Sequence, residues 1–213
     1  MNSYTDSGRR SNLRRFFVLV LACVILTPAM TAAAPLRGRV LYVSKDTSDT
    51  AATADAYVLD LTTGENQFVL ADAERPTWSP DGSQIAFSSD RTGSPQIYVM
   101  DSDGLDVKRL TYQGNYNDSP LWSMRGDRLT LVSRTKTGRF NLVSIDVSGA
   151  DYRVLTKLGT NENPHFSPDG KHLVFSSTRL GGQDIYTMDV SGRNQRRLTN
   201  NQNCSNPAWG PLR

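Results

Sequence analysis

Histidine and cysteine are both scarce in this chain of 213 residues. The histidines are His165 and His172, and the cysteines are Cys23 and Cys204. Two histidines are too few for a multi-histidine metal site. Cys23 lies in a segment that we expect to be removed, so Cys204 would have no cysteine with which to form an internal disulfide. We therefore expect the fold to depend on packing alone, for which about 180 residues are enough.

Motifs of covalent catalysis are also missing. No G-x-S-x-G segment is present to form the nucleophile elbow of a hydrolase. A histidine acting as a general acid or base needs a positioned partner, and the sequence identifies none for either histidine. We expect no enzymatic activity and no cofactor.

Charge excludes another class of function. The chain has 24 basic and 21 acidic residues, but residues 1–34 hold four arginines and a single aspartate, so 20 of each sign remain. The basic side chains are scattered rather than clustered, unlike a surface that follows phosphates. Nucleic-acid binding is therefore not expected.

The N-terminal segment has the order of regions typical of a secretory signal peptide. Arg14 and Arg15 precede an apolar run at residues 16–26, and small residues follow at 31–34. We expect residues 1–34 to be a signal peptide, cleaved near Ala33 or Ala34, and residues 35–213 to form an exported protein.

Two alternatives to this reading of the leader stay open. Residues 16–34 are long enough to cross a bilayer as an uncleaved anchor, and the leader would then be the chain's one contact with the membrane. Residues 14–17, Arg-Arg-Phe-Phe, are weakly similar to a twin-arginine signal, so the export route is not fixed.

A repeat with a period in the low forties dominates the rest of the chain. Prolines recur at intervals of 44, 44 and 43 residues, and each is followed two positions later by an aromatic residue. The prolines are Pro76, Pro120, Pro164 and Pro207, and the aromatic residues are Trp78, Trp122, Phe166 and Trp209. Each unit contains four short segments of alternating polarity, which is the pattern of a β-propeller blade.

The repeat predicts an all-β fold of four-stranded antiparallel blades, about four in number. We place the blades near residues 38–75, 76–119, 120–163 and 164–206, with a closing strand at 207–211. The first unit lacks its first strand and the chain ends with an additional one, so the C-terminal strand would complete the first blade and protect its edge. Two chains could instead combine into an eight-bladed ring as a homodimer, or one chain could form an open arc.

Aspartate and glycine recur at the expected hairpins. Asp81-Gly82 and Asp169-Gly170 are tight-turn signals, because glycine accepts the positive φ that such turns need. Residues 101–104, Asp-Ser-Asp-Gly, are similar to the start of a calcium loop, but the equivalent positions in the next two units lack the second acid. These residues therefore favour a turn over a calcium site.

These motifs resemble the TolB-type propeller repeat. The pattern P-x-W-S-P-D-G at residues 76–82, with its variant at 164–170, precedes an apolar strand, then I-Y-x-M-D and R-L-T. The resemblance covers residues 38–211 and implies a periplasmic, non-enzymatic protein of the Gram-negative envelope that binds other envelope proteins, notably the peptidoglycan-associated lipoprotein of the Tol system. The chain departs from the family in lacking its N-terminal α/β domain and its full set of six blades.

We expect binding on the loops that connect the fourth strand of one blade to the first strand of the next. These loops lie at residues 112–119, 157–163 and 200–206. Tyr112 and Tyr116 are the strongest candidates, because tyrosine offers contact area and a polar tip together. The full set of candidate partner-binding residues is Tyr112, Asn115, Tyr116, Asn117, Asp118, Asn161, Glu162, His165 and Asn203.

Two functions are compatible with such loops. The first is a periplasmic protein-binding scaffold, and the second is a carbohydrate- or peptidoglycan-binding module or accessory subunit of an envelope enzyme. Aromatic and amide side chains suit both partners.

Overall fold

The computed structural model describes residues 37–45, 54–200 and 203–211. All regular structure in these residues is β-strand. The strands are β1 (Arg39–Lys45), β2 (Ala54–Asp60), β3 (Asn66–Leu70), β4 (Glu74–Trp78), β5 (Gln84–Ser89), β6 (Gln96–Asp101), β7 (Lys108–Arg109), β8 (Asn117–Trp122), β9 (Arg128–Arg134), β10 (Phe140–Asp146), β11 (Tyr152–Val154), β12 (Asn161–Phe166), β13 (His172–Leu180), β14 (Gly182–Asp189) and β15 (Arg196–Arg197).

The strands form four antiparallel sheets in chain order, and each sheet is one blade. Blade 1 contains β1–β3, blade 2 contains β4–β7, blade 3 contains β8–β11 and blade 4 contains β12–β15. Strands that are neighbours in sequence are neighbours in each sheet, as in a meander. The predicted all-β fold of propeller blades is confirmed.

Each hydrophobic core lies between two blades rather than within one. Ile85 and Phe87 of β5 pack with Ala56 and Val58 of blade 1, whereas Ala86 on the opposite face packs with Leu129 of blade 3. A third cluster joins blades 3 and 4 in the same way. This arrangement follows from the alternation of side chains along a strand, which gives both faces of a blade an apolar surface to bury.

The blades form an open arc in the described chain. Strands of blade 1 contact blade 2, those of blade 2 contact blade 3 and those of blade 3 contact blade 4, but the described strands of blades 1 and 4 do not meet. The described strands by themselves therefore do not join blade 4 to blade 1.

The predicted closing strand at 207–211 is not formed. No strand is assigned within residues 203–211, and β1 pairs with β2 alone. The segment lies against blade 4 instead, where the Trp209 ring centroid is 6.0 Å from that of His172 and the Cys204 amide donates to the Gln183 carbonyl at 2.8 Å. The physical reason is that blade 1 does not pack against blade 4, so a segment held on blade 4 has no β1 edge beside it.

Side chains of the repeated motifs hold the hairpins. The Ser79 hydroxyl donates to the Asp81 carboxylate at 2.6 Å, and the same carboxylate accepts the Ser83 amide at 3.1 Å. Blade 3 has Arg125 in place of this aspartate, and there the Ser123 hydroxyl donates to Asp127 at 2.7 Å. The turn therefore forms without the motif's aspartate, because Asp127, two residues after Arg125, accepts the hydrogen bond from the Ser123 hydroxyl.

The repeated Leu-Thr pair also has a structural role. Threonine hydroxyls at the end of the fourth strand accept the backbone amide of the third strand at 2.9 Å in blades 2, 3 and 4. These threonines are Thr111, Thr156 and Thr199. Because β7 and β15 have only two residues each, this bond extends pairing that the backbone alone leaves short.

Two predictions from the sequence fall on residues outside the described part. The signal peptide at 1–34 is one. The other is a loop in the first blade, which the threonine, alanine and aspartate content of residues 47–54 predicts; of these residues only Ala54 is described, and it belongs to β2. Within the described ranges, no helix has the length and apolar character that a membrane crossing requires.

A glycine in each of blades 2, 3 and 4 touches the preceding blade. In blade 2, Gly104 has φ +88°, and a Cβ built on it would lie 2.6 Å from the Val69 carbonyl oxygen of blade 1. Gly149 and Gly192 approach Leu110 and Leu155 of their preceding blades in the same way. The repeated glycine therefore sets how closely successive blades approach.

We expect Gly104→Ala to destabilise the protein by about 1–3 kcal/mol more than Gly93→Ala, because only the first variant forces a side chain against a neighbouring blade. Gly93 is the matched control, since its φ is +94° and nothing lies within 4 Å of a Cβ built there. Both variants carry the cost of a left-handed alanine, about 1–2 kcal/mol. Urea unfolding followed by circular dichroism measures the difference, and equal losses would contradict the inter-blade contact.

Asp81 gives the fold a dependence on pH. The Ser79 hydroxyl, and then the Ser83 amide, lower the pKa of Asp81 from 3.8 to about 2. A depressed pKa means that the ionised carboxylate stabilises the fold above about pH 4, and that this contribution is lost as the pH falls towards 2. We expect the difference in unfolding free energy between the wild type and Asp81→Asn to shrink over that interval. A difference that is constant between pH 6 and pH 2 would contradict this role of the carboxylate.

Candidate partner-binding site

Each loop between consecutive blades follows the fourth strand of one blade, and we call these loops together the loop face: residues 112–116, 157–160 and 203–205. Tyr112 has 70% of its surface exposed, and the Arg109 guanidinium lies 5.0 Å from the centre of its ring. Asn115 is also exposed. Leu158, on the second loop, is 66% exposed. The loop face therefore presents an aromatic ring, an amide and an aliphatic side chain to solvent.

Tyr116 is half-buried and already packed. Its ring meets Phe140 edge to face, with centroids 5.6 Å apart, and its hydroxyl donates to Asp118 at 3.2 Å. Burial, and then the nearby Asp118 carboxylate, raise the pKa of Tyr116 above its ordinary value of 10.0. This tyrosine is therefore a neutral hydrogen-bond donor held in one orientation rather than a mobile contact.

Asp118 is the centre of a polar cluster between blades 2 and 3. Its carboxylate accepts the Ser88 hydroxyl at 2.6 Å and the Ser119 amide at 2.7 Å, and it pairs with the Arg75 guanidinium at 3.2 Å. Together with Tyr116, four donors converge on this buried acid. Each of these donors stabilises the charged form of a group that would otherwise be costly to bury.

Asn117 and Asn161 begin strands β8 and β12 and are fully buried. The Asn117 side-chain amide donates to Gln96 at 3.0 Å and to the Gln113 carbonyl at 2.8 Å, which fixes the first loop. Asn161 donates to the Leu158 carbonyl at 3.1 Å and accepts from Arg179 at 2.9 Å. The structure thus places these two predicted site residues under the loops, where they hold the backbone.

The remaining predicted residues are Glu162, Asn203 and His165, which lie in blade 4 and in the C-terminal segment. Glu162 is half-buried in β12, and Asn203 is exposed with φ +48°. His165 is exposed, and its Nδ1 lies 2.9 Å from the Phe166 carbonyl oxygen and 3.3 Å from the Trp209 amide nitrogen. His165 therefore contacts the C-terminal segment.

The first strands of the blades surround an opening of about 380 Å³, which we call the central opening. The residues lining it are Arg75, Pro76, Thr77, Ser119, Pro120, Leu121, Asn163, Pro164, Asn206 and Pro207. The residue before each repeated proline has a left-handed backbone, with φ between +49° and +55°. Strands β4, β8 and β12 also shift register at this point, so the same bulge recurs in each.

The inward-facing residues before the prolines were missed by sequence reasoning. Left-handed backbone at a non-glycine residue costs of order 1–3 kcal/mol and concentrates at functional sites. Arg75 is the charged member of this set, and 62% of its side chain is exposed. The signal that could have found these positions was the fixed spacing of the prolines, which marks the preceding residue in every unit.

The loop face and the central opening meet at Asp118. This carboxylate accepts a hydrogen bond from Tyr116, the last residue of the first loop, and pairs with Arg75, which lines the opening, so the first loop and the opening adjoin there. Arg75 and Tyr112 are exposed residues with donor groups, whereas Asp118 is buried. In the described residues, no three histidine, cysteine, aspartate or glutamate side chains gather closely enough to hold a metal ion. The arrangement suits a partner that brings carbonyl or carboxylate acceptors.

We expect Asp118→Asn to lower the pKa of Tyr116, because the substitution removes the charge beside the phenol and leaves burial in place. Ultraviolet titration of the phenolate measures this, with Tyr116→Phe identifying which of the transitions belongs to this residue. Asp127→Asn serves as the control, since Asp127 bonds Ser123 in a turn away from the phenol. An unchanged Tyr116 pKa in Asp118→Asn would contradict the coupling.

Comparisons with known proteins agree with this architecture. The sequence profile of the TolB beta propeller domain matches residues 35–213. The Tol-Pal system protein TolB of Campylobacter jejuni is 33% identical over 97 residues, covering 45% of this chain and 24% of that protein. An uncharacterized peptidase of Bacillus subtilis is 31% identical over 139 residues, covering 48% of this chain and 21% of the peptidase.

A solved structure gives the same result in three dimensions. TolB from Acinetobacter baumannii superposes with a TM-score of 0.69 at 28% sequence identity, covering 82% of this chain and 44% of that one. The chain thus spans less than half the length of the relatives described here. The shared part is the propeller repeat.

Proposed function

The chain belongs to the TolB β-propeller domain family, and from that premise we propose that it is a non-catalytic protein-binding scaffold of the periplasm, linked to the Tol-Pal envelope system. The observations that carry this proposal are two exposed side chains of the kind found in protein interfaces, Tyr112 on the first loop and Arg75 in the central opening, with Asp118 joining that loop to the opening.

The character of this surface favours a protein partner. Interfaces between proteins are enriched in tyrosine and arginine, and a few such residues carry most of the binding free energy. Tyr112 offers an exposed ring supported by Arg109 at 5.0 Å, and Leu158 adds apolar area on the next loop. The buried amides of Asn117 and Asn161 hold these loops in place, so little conformational entropy is lost on binding.

The partner that we propose is the peptidoglycan-associated lipoprotein. Support comes from the family and from the relatives named as Tol-Pal system proteins. The leader at residues 1–34 supports export to the periplasm. The absence of a nucleophile elbow from the sequence supports a binding role over catalysis.

Isothermal titration calorimetry of the purified chain with the soluble domain of that lipoprotein tests the proposal. We expect saturable binding at micromolar affinity or tighter. Tyr112→Ala should weaken it at least tenfold, because truncating a tyrosine that anchors an interface costs about 2 kcal/mol.

Met124→Ala is the matched control. Met124 is 57% exposed in the turn that follows β8, whereas Tyr112 lies in the loop that precedes β8, so the two residues are separated by the length of that strand. Its substitution should leave the affinity unchanged. Absence of heat from folded protein would refute this partner, and equal effects of the two variants would refute the loop face.

A carbohydrate- or peptidoglycan-binding module is the second candidate function. The exposed Tyr112 ring favours it, because an aromatic face can also stack against a sugar. Soluble peptidoglycan fragments separate the two functions. Direct binding of the fragments, abolished by Tyr112→Ala in the absence of any protein partner, would support this second function and displace the first.

A further inference from the structure

The first blade has an open edge. β1 is equivalent to β5 of blade 2, since Arg39 pairs with Asp60 as Gln84 pairs with Asp101. β5 pairs on its other side with β4, but β1 has no such partner among the described strands. Blade 1 therefore lacks the first strand that each of the other three blades has.

Exposure shows what this missing strand and its blade would cover. Val40 and Val43 of β1 are 41% and 42% exposed, whereas their equivalents Ile85 and Ser88 in β5 are 0% and 2% exposed. An unpaired strand edge flanked by apolar side chains invites pairing with another chain. This edge of blade 1 is therefore exposed to solvent, whereas the other three blades in the described chain bury the equivalent positions.

At the other end of the described chain, a segment lies in the position of a first strand but has no blade of its own. The Trp209 ring lies 6.0 Å from His172, which begins β13, just as Trp78 lies 4.6 Å from the Arg39 guanidinium, which begins β1. Asn206 has φ +52°, like the residues before the other repeated prolines. Residues 203–211 therefore occupy, against blade 4, the place that β4 occupies against blade 1.

We propose that these two ends join in trans: residues 203–211 of one copy pair with β1 of a second copy and complete its first blade. Pairing within one chain would require blades 1 and 4 to meet, and the described strands of these blades do not. A reciprocal exchange uses both ends of both copies and produces a ring of eight blades, which lies within the range known for propellers. The proposal does not depend on the identity of the envelope partner.

The repeat predicts the register of this pairing. Trp78 faces Ile85 and Glu74 faces Ser88 within blade 2, and the corresponding pairs recur in blades 3 and 4. Transferring these positions places Trp209 opposite Val40 and Ser205 opposite Val43. Residues that face each other in antiparallel strands have Cα atoms about 4.5–5.5 Å apart, which is within the range of a disulfide.

A cysteine pair tests the register directly. We would introduce Val43→Cys and Ser205→Cys into the full chain carrying Cys23→Ser and Cys204→Ser, oxidise it, and separate the products under denaturing conditions. The expected product is a disulfide-linked dimer. The matched control is Ser44→Cys with Ser205→Cys, because a shift of one residue turns the side chain to the opposite face of the sheet. This control should give at least tenfold less dimer.

The unmodified chain supplies an independent measurement. Light scattering after gel filtration should give the mass of two chains, and deletion of residues 203–213 should give the mass of one. A disulfide formed within a single chain would overturn the proposal in favour of closure in cis. Monomeric mass without a cross-link would also overturn it, since the edge would then be covered by another part of the chain or left open. A ladder of larger polymers would refute the two-membered ring.

Discussion

The packing of each blade against its neighbours is the contact on which the rest of the structure depends. Every core cluster in the described residues crosses a blade boundary, so no sheet buries both faces by itself. The glycine at each boundary, such as Gly104 against the Val69 carbonyl, sets the separation, and the aromatic residue of each first strand packs on the blade before it. Stability is therefore distributed over boundaries, as in repeat proteins.

The position of the candidate site follows from the same contacts. Asp118 lies between blades 2 and 3, and it joins Tyr116 on the loop face to Arg75 in the central opening. Blade packing brings the loops together, and buried amides below them keep their shape. The exposed side chains are then free to differ from one loop to the next, which is how a uniform scaffold can recognise a particular partner.

The sequence predicted the features that depend on periodicity. The spacing of the prolines, the alternation around Ile85 and the Asp-Gly turns identified the blades and their order, because each reflects a local constraint that recurs from one unit to another. The sequence could not predict that Asn117 and Asn161 are buried. An asparagine near a loop gives the same sequence signal whether its side chain binds a partner or a backbone carbonyl. Nor could the sequence predict the position of residues 207–211, because ring closure depends on the angles between blades, which no local pattern encodes.

Hydrogen exchange of the monomeric chain tests most directly whether the boundaries hold the fold together. Blade 1 has one neighbouring blade and three strands, whereas blades 2 and 3 have two neighbours each. At a concentration low enough to keep the chain monomeric, we expect amides of β1 and β2 to exchange at least tenfold faster than those of β5, β6, β9 and β10. Equal protection of blades 1 and 2 would show that each sheet is stable by itself and would contradict this account.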